Sequence, residues 1–402
     1  MQMKPTLFGY GLTTKAIAKK LGGGCTFFDD NCKKTYTDEN NNTINPSTEF
    51  NPEESHLEVT TPSLPPKHPL IQSAKNLLSE YDYFDDVMPF SIWISGTNGK
   101  TTTTQMLTHL LESRGAVSGG NIGTPLAELS EDASIWVLES SSFALHHTHI
   151  ASPDIYLLLP ITPDHLDWHK TTEQYEADKL RPLLTMKEGE LALVPKGLNL
   201  PKTNAYVVEY DSDDFVCEYF SLDASKLNYK GAFLQDALLS LAITKVLFDE
   251  TNYALLNTFT RDAHRQEEFK DAQERLWVND SKATNLDATI QAVKGYADTH
   301  IHLILGGDDK GADLTALFQT MQGLDLTLYT IGKNNNTLLA LAKAHKIKAV
   351  SCSDMQTAVH AIDLQHTQED VALLSPAAAS FDQFNSYKHR GELFTKLVKS
   401  LN

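Results

Sequence analysis

The sequence predicts a multidomain α/β protein, and three observations carry that expectation. Short apolar runs of strand length alternate with amphipathic helical stretches along nearly all 402 residues, an order that packs helices on mostly parallel sheets. A glycine-containing loop, Gly96-Thr97-Asn98-Gly99-Lys100-Thr101-Thr102, stands where a strand turns into a helix. Three apolar runs in the last third open into small and polar residues, as strands do where an open sheet presents a ligand crevice. At roughly 100–200 residues per domain the length fits two to four domains. Three are expected, at residues 1–88, 89–260 and 261–402.

The first unit opens with a strand near residues 6–8, Gly9-Tyr10-Gly11, a helix near 13–21 and a second strand near 25–28 ending at Asp29-Asp30. Thr14 occupies the place of the third glycine of a dinucleotide fingerprint, so an intact NAD site is not expected. Two readings stay open: a plain βα turn, or a diphosphate seat with Asp29 or Asp30 near a ribose or base. The polar stretch 37–45 and Pro62, Pro65, Pro66 and Pro69 read as loops.

The second unit begins with a strand near 90–95 and the glycine loop, followed by a helix near 101–112. Glycines let backbone N–H groups converge on a phosphate, the helix N-terminus attracts anions, and Lys100 reaches the terminal phosphates. Thr101 is then placed to hold Mg²⁺. Ile94 stands where the usual pattern has its first glycine, so this is a shortened phosphate loop, and ATP is the expected ligand.

Strands near 135–138 and 155–159 follow, then β-like runs near 190–194, 206–210 and 215–220, and an apolar helix near 232–248. Glu139, at a strand end, is either an Mg²⁺ ligand or a loop hydrogen-bond acceptor. Pro163-Asp164-His165-Leu166-Asp167-Trp168-His169 offers a histidine and carboxylates that either serve a metal or lie in a surface loop. His146, His147 and His149 have no ligand spacing and read as solvated surface. Lys179, on its own chemistry, reads as a solvated helix lysine.

In the third unit, strands near 276–278, 301–305, 326–331 and 371–374 alternate with helices. Three of them open into Asn279-Asp280-Ser281-Lys282-Ala283-Thr284-Asn285, Gly306-Gly307-Asp308-Asp309-Lys310-Gly311 and Ser375-Pro376-Ala377-Ala378-Ala379-Ser380-Phe381-Asp382. Each alone is a turn; three together match a ligand crevice.

Composition narrows the function classes. Hydrophobic residues make up 41% and charged residues 21%, a globular balance that excludes wholesale disorder and collagen-like repeats. A net charge of −18 repels polyanions, so no nucleic-acid partner is expected. Cys25, Cys32, Cys217 and Cys352 form no CxxC pair, the opening residues lack a signal-peptide core, and no apolar run approaches the ~20 residues of a membrane span. A reducing cytoplasm without membrane insertion is the expectation.

In order and spacing, these motifs resemble the Mur ligase family of ATP-dependent amide ligases over all three units. The resemblance implies a Rossmann-like N-terminal domain for a UDP-linked substrate, a central P-loop ATPase domain with a mainly parallel sheet, and a Rossmann-like C-terminal domain for an amino acid. The loop, Glu139 and DHLDWH are common to several branches. NDSKATN, LGGDDKGAD and LLSPAAASFDQF are similar to the branch that joins D-glutamate to UDP-N-acetylmuramoyl-L-alanine through an acyl phosphate.

Residue by residue, the resemblance implies that Gly96 through Thr102 bind ATP, with Asp236, His264, Arg265 and Asp280. Thr101, Glu139, His165 and a carbamylated Lys179 would hold two Mg²⁺. Leu12, Thr13, Asp30, Asn31 and Asn121 would lie along the UDP-substrate. Lys282, Thr284, Lys310, Ser380, Phe381 and Tyr387 would surround D-glutamate and the transferred phosphate. Lys100, His165, Lys179, Lys282 and Lys310 are the expected catalytic side chains, and a monomer is expected. Asp236, Asn31 and Tyr387 depart from the asparagine, arginine and phenylalanine usual there.

Overall fold

The computed structural model describes residues 4–260, 262–309 and 311–401, so Lys310 lies outside the described residues. It has three six-stranded sheets flanked by helices, one in each of three α/β domains.

The first sheet holds β1 (Thr6–Phe8), β2 (Thr26–Asp29), β3 (Tyr36–Thr37), β4 (Thr43–Pro46), β5 (Glu58–Thr60) and β6 (Leu77–Leu78), in the order β3-β4-β2-β1-β5-β6. Only β3 and β4 pair antiparallel. The second comprises β7 (Phe90–Ser95), β8 (Ala116–Gly120), β9 (Ile135–Glu139), β10 (Ile155–Leu158), β11 (Leu191–Pro195) and β12 (Tyr206–Tyr210), ordered β12-β11-β10-β7-β9-β8 and parallel throughout. The third comprises β13 (Glu267–Lys270), β14 (Leu276–Asn279), β15 (Ile301–Gly306), β16 (Leu326–Ile331), β17 (Lys348–Ser351) and β18 (Val371–Leu374), ordered β13-β14-β18-β15-β16-β17, with β13 antiparallel to β14.

The first two sheets belong to one compact unit, which runs to Asn228 and includes Leu234–Thr258; the third belongs to a second unit, with Tyr229–Phe233 and the chain from Phe259. In the first unit every residue of β9 and β10 is buried, and Trp93, Trp136 and Tyr156 are among the largest fully buried side chains. Helices on both faces of a parallel sheet require such continuous apolar strands. Every residue of β15, β16 and β18 is likewise buried in the second unit.

Two local expectations are corrected. Residues 215–220 are not a strand but part of the helix Asp213–Phe220. Ser212 Oγ accepts the Phe215 N–H at 3.1 Å, Asp213 and Asp214 sit in the first turn, and Val216 and Phe220, four apart, are buried together. Capping and helical periodicity outweigh the β-prone aromatic content. The stretch 37–45 is a β3–β4 hairpin rather than a loop. Asp38 Oδ1 accepts the N–H groups of Asn40 and Asn42, both at 2.9 Å, and Asn41 adopts φ 59° at the tip. Among the described residues, no helix is long and apolar enough to cross a membrane.

Candidate active site

The phosphate loop joins β7 to the helix Lys100–Leu111. Gly99 caps that helix at φ 81°, and a Cβ there would lie 2.6 Å from Asp236 Oδ1, so both backbone and space demand glycine. Thr97 is fixed by its N–H to the Pro160 carbonyl at 3.1 Å and by its hydroxyl to the Thr162 carbonyl at 2.9 Å. Lys100 Nζ donates to the carbonyls of Gly96 (2.9 Å) and Thr97 (2.8 Å), folding the cation over the loop. Thr101 is half-buried in the first turn, beside buried Thr102. Asn98 is half-buried.

Glu139 closes β9 beside this loop, since Ile94 and Glu139 are register partners. It is buried; Asn121 Nδ2 donates to Oε1 at 2.6 Å, while Oε2 is buried without a hydrogen-bond partner among the described residues. A lone buried carboxylate oxygen is costly unless a cation or donor completes it. The alternatives left open for Glu139 therefore both have a physical basis here: one oxygen is an acceptor, the other is free to ligate.

Lys179 lies in the helix Thr172–Leu180, which Thr171 caps through its side chain. It is 1% exposed, so the solvated-lysine reading is wrong. Its Nζ donates to the Gly96 carbonyl at 2.7 Å and to Ser95 Oγ at 3.3 Å, and lies 4.8 Å from the centre of the Tyr175 ring. Burial, reinforced by the Lys100 charge, pushes this ammonium well below its ordinary pKa. Tyr175, one turn earlier, also meets the Thr97 hydroxyl at 3.1 Å. That i, i+4 pair was visible in the sequence, but its partners come from other elements.

His165 precedes the short helix Leu166–His169 at φ 53° and lies 3.5 Å from Asp164 Oδ2. Burial, with Lys100 and Lys179, lowers its pKa against the pull of Asp164, so its neutral form is favoured. The histidines read as solvated surface are only partly so. His147 is 3% exposed and its Nε2 donates to the Leu64 carbonyl at 3.0 Å. His146 donates to Asp178 Oδ1 and His169 to Asp178 Oδ2, both at 2.8 Å; His149 alone of the three is exposed. Buried Asp178 thus ties three segments behind Lys179, a function sequence reasoning missed because the partners are 9 and 32 residues away.

In the first sheet, Thr14 takes over the work of the missing glycine. Its hydroxyl donates to the Gly9 carbonyl at 2.6 Å and accepts the Gly11 N–H at 3.3 Å, tying down the βα turn. Leu12 is exposed and Thr13 half-buried at the start of the helix Leu12–Lys20. Asp29 is occupied by the backbone N–H groups of Tyr10 (2.7 Å) and Asn31 (2.8 Å). Asp30 and Asn31 are exposed, and Asp30 meets His68 Nε2 at 3.0 Å.

The second unit has its own polar edge. Asp280 Oδ2 accepts the Ser375 hydroxyl at 2.8 Å, and Oδ1 the Gln266 N–H at 3.2 Å. Asn279 Nδ2 meets His264 Nδ1 at 2.9 Å. A Cβ at Gly391 would reach that ring nitrogen at 2.3 Å, so glycine makes room for His264. Arg265 is half-buried, and its Nε is buried without a hydrogen-bond partner among the described residues.

Arg390, fully buried, donates to Ser281 Oγ (3.0 Å), the Ser281 carbonyl (2.8 Å) and the Ala378 carbonyl (3.0 Å). It joins two of the strand-end loops, and the reciprocal Asp308–Ala379 backbone pair joins a third. Lys282 Nζ stands 5.6 Å from the centre of the half-buried Tyr387 ring, Ser380 is buried, and Thr284 and Phe381 are exposed. The unit thus brings together Asp280, Lys282, Ser380 and Tyr387 around one sheet edge.

Similarity to known proteins agrees with this geometry. Residues 94–230 match the Mur ligase middle domain, and residues 264–378 the Mur ligase, glutamate ligase domain. A Campylobacter jejuni protein called UDP-N-acetylmuramoylalanine–D-glutamate ligase is 49% identical over 99% of this chain and 100% of its own length. The chain belongs to the Mur ligase family. A Helicobacter pylori protein of the same name is 44% identical, covering 98% of this chain and 99% of its own. The fold of this Mur ligase is also that of the Thermotoga maritima MurF ligase solved with ADP, at TM-score 0.58 and 15% identity over 99% of this chain and 98% of that one. The UDP-N-acetylmuramate-alanine ligase of the same organism gives TM-score 0.56 at 14% identity, over 98% of this chain and 99% of that one.

Proposed function

We propose that this Mur ligase joins D-glutamate to UDP-N-acetylmuramoyl-L-alanine at the expense of ATP, as a UDP-N-acetylmuramoylalanine–D-glutamate ligase of peptidoglycan precursor synthesis. The observation that carries the reading is 49% identity, over essentially the whole of both chains, to a relative of that name. Domains at 1–88, 89–260 and 261–402, a cytoplasmic location and a monomeric state go with it. The four described cysteines are free thiols, which suits a reducing compartment.

A carboxylate does not condense with an amine at neutral pH, because hydroxide is a poor leaving group. ATP therefore transfers its γ-phosphoryl group to the L-alanyl carboxylate, giving ADP and an acyl phosphate. The D-glutamate amine attacks the acyl carbon, phosphate leaves with the electron pair of the broken C–O bond, and the nitrogen loses its proton. Residues Gly96 to Thr102 cradle the triphosphate, and Lys100 leaves its two loop carbonyls for the phosphoryl oxygens. Asp236, His264, Arg265 and Asp280 would contact the rest of ATP; the orphan Arg265 Nε is a donor suited to an anion.

The donor set fits a hard divalent cation. Thr101, Glu139 and His165 would hold Mg²⁺, with the unpartnered Glu139 Oε2 as its anionic ligand and a neutral His165 beside it. When bound, Mg²⁺ offsets the charge of the phosphates. Lys179 is suited to carbamylation, because burial favours the neutral amine whose lone pair adds to CO₂; loss of a proton then leaves a carboxylate-like ligand for a second ion. Asn121 orients Glu139 and faces the muramyl substrate, whose nucleotide would lie along Leu12, Thr13, Asp30 and Asn31. Lys282 and Lys310 would anchor D-glutamate and the transferred phosphate, with Thr284, Ser380, Phe381 and Tyr387 around them.

Phosphate release with ATP, Mg²⁺ and UDP-N-acetylmuramoyl-L-alanine tests the reading. It is expected with D-glutamate and not with L-glutamate, L-alanine or diaminopimelate, and the product should be heavier by one glutamyl residue. Release with another amino acid instead would overturn the substrate assignment while keeping the ligase chemistry.

A further inference from the structure

At the edge of the third sheet opposite its ligand-presenting loops, three side chains converge that the ligase chemistry does not use. His302 is the second residue of β15, Asp370 immediately precedes β18, and His366 follows the helix Met355–Asp363. Their potential ligand atoms all lie within 4.8 Å of one another. Both histidines are more than nine-tenths buried, at 2% and 6% exposure, and each has one buried ring nitrogen without a hydrogen-bond partner among the described residues: Nε2 of His302 and Nδ1 of His366.

The other ring nitrogens are engaged in a way that sets the tautomer of His366 and allows the metal-ligating tautomer of His302. His366 Nε2 lies 3.0 Å from the Leu276 carbonyl, which only accepts, so the proton is on Nε2 and Nδ1 carries the lone pair. His302 Nδ1 lies 3.2 Å from the Tyr329 hydroxyl, which both donates and accepts; with a cation in place of the Nε2 proton, Nδ1–H donates there and the Nε2 lone pair, 3.5 Å from Asp370 Oδ2, ligates. A metal-ligating imidazole characteristically gives its other N–H to such a partner. Tetrahedral ligands at zinc distances stand about 3.4 Å apart, so the His302–Asp370 pair already has ligand spacing. Burial lowers the pKa of both rings, that of His302 to about 4, so both are neutral near pH 7. The neighbouring Arg275 guanidinium is paired with Asp271 at 2.7 Å and Asp363 at 2.6 Å, so its charge is largely compensated.

We propose that His302, His366 and Asp370 form a binding site for a borderline first-row divalent cation of the Zn²⁺ class, separate from the Mg²⁺ ligands of the phosphate loop. Two imidazoles and one carboxylate suit such an ion, with water as a fourth ligand on the partly exposed Asp370 side. Bound there, the ion staples β15, β18 and the chain after Met355–Asp363 at the base of the domain, and stabilises the folded state by binding it alone.

The test uses the full-length protein stripped with a chelator, then titrated with Zn²⁺ against a chromophoric competitor in excess Mg²⁺. One equivalent should bind and raise the melting temperature, in the parent and equally in Glu139→Gln. His302→Gln and Asp370→Asn should each weaken binding by at least about 100-fold, the upper range for loss of even an outer-shell partner, and abolish the melting shift. Should His302→Gln fail to fold, Asp370→Asn decides, since that side chain, less buried than either histidine, can keep its bond from the Thr367 N–H. Co²⁺ should give visible ligand-field bands in the parent that Asp370→Asn lacks. Absence of Zn²⁺ binding in the parent, binding unchanged in both variants, or binding lost in Glu139→Gln overturns the site.

Discussion

Lys179 is an amine that the protein goes to some length to leave uncharged. Fully buried and next to Lys100, it is held by two neutral oxygens and an aromatic face, with no carboxylate bonded to it among the described residues. A lysine kept merely for charge would be placed in water, where the ammonium is cheap. Lys179→Arg keeps a cation but cannot form a carbamate, and should lower kcat by about 100- to 1000-fold, the cost of removing one preorganised electrostatic group. Intact-protein mass spectrometry under CO₂ should show one added CO₂ on the parent and none on the variant. A Lys179→Arg enzyme as fast as the parent removes the carbamate from the mechanism. Gly99 is constrained from the other side of the loop. Gly99→Ala meets a positive φ worth about 1–2 kcal/mol and the Asp236 carboxylate at 2.6 Å. It should lower the melting temperature and raise the KM for ATP, whereas a variant with unchanged KM would show the turn to be irrelevant to nucleotide binding.

The βα turn of the first sheet shows how one side chain rescues an element whose consensus glycine is absent. The Thr14 hydroxyl serves as donor to Gly9 and acceptor from Gly11, so Thr14→Val keeps the shape and strips both bonds from a fully buried site. A loss of about 1–2 kcal/mol is expected in urea unfolding, with a higher KM for the UDP-substrate. No loss would mean that backbone geometry alone holds the turn. Elements of this kind also set what the sequence reveals. Central parallel strands such as β7, β9, β10, β15, β16 and β18 were legible because burial on both faces makes them continuous apolar runs. The β3–β4 hairpin and the edge strands β8 and β17 were not, since Ala116–Gly120 ends in two glycines and β17 is half polar. The phosphate loop was legible because its chemistry lies in one stretch of chain. The burial of Lys179 and the Asp178 hub were not, because they are made by segments brought together only by folding.

Over the whole molecule, buried ionisable groups make the fold sensitive to acid, and the direction follows from which state takes up protons. Burial drops the His147 imidazole to about 4, and that of His302 likewise, from 6.5 when solvated. Between those values the unfolded chain binds a proton at each site that the folded chain refuses. Their contribution is therefore complete above pH ~6.5, erodes as the pH falls, and is lost by pH ~4, at about 3 kcal/mol for each histidine. Asp178 acts lower on the scale. Burial alone would raise its pKa, but the His146 and His169 hydrogen bonds overcome it and hold the carboxyl well below the usual range, so its contribution survives above pH ~4 and is lost only beneath it. Acid destabilisation should thus come in two stages, histidines first. His147→Gln can keep a donor for the Leu64 carbonyl while removing the titrating ring. Compared with the parent, its urea midpoint should fall less steeply between pH 7 and 5, by about 0.9 kcal/mol of unfolding free energy per pH unit on average. An identical slope in the two proteins would mean that His147 takes up its proton within the folded state, which its buried position at 3% exposure argues against.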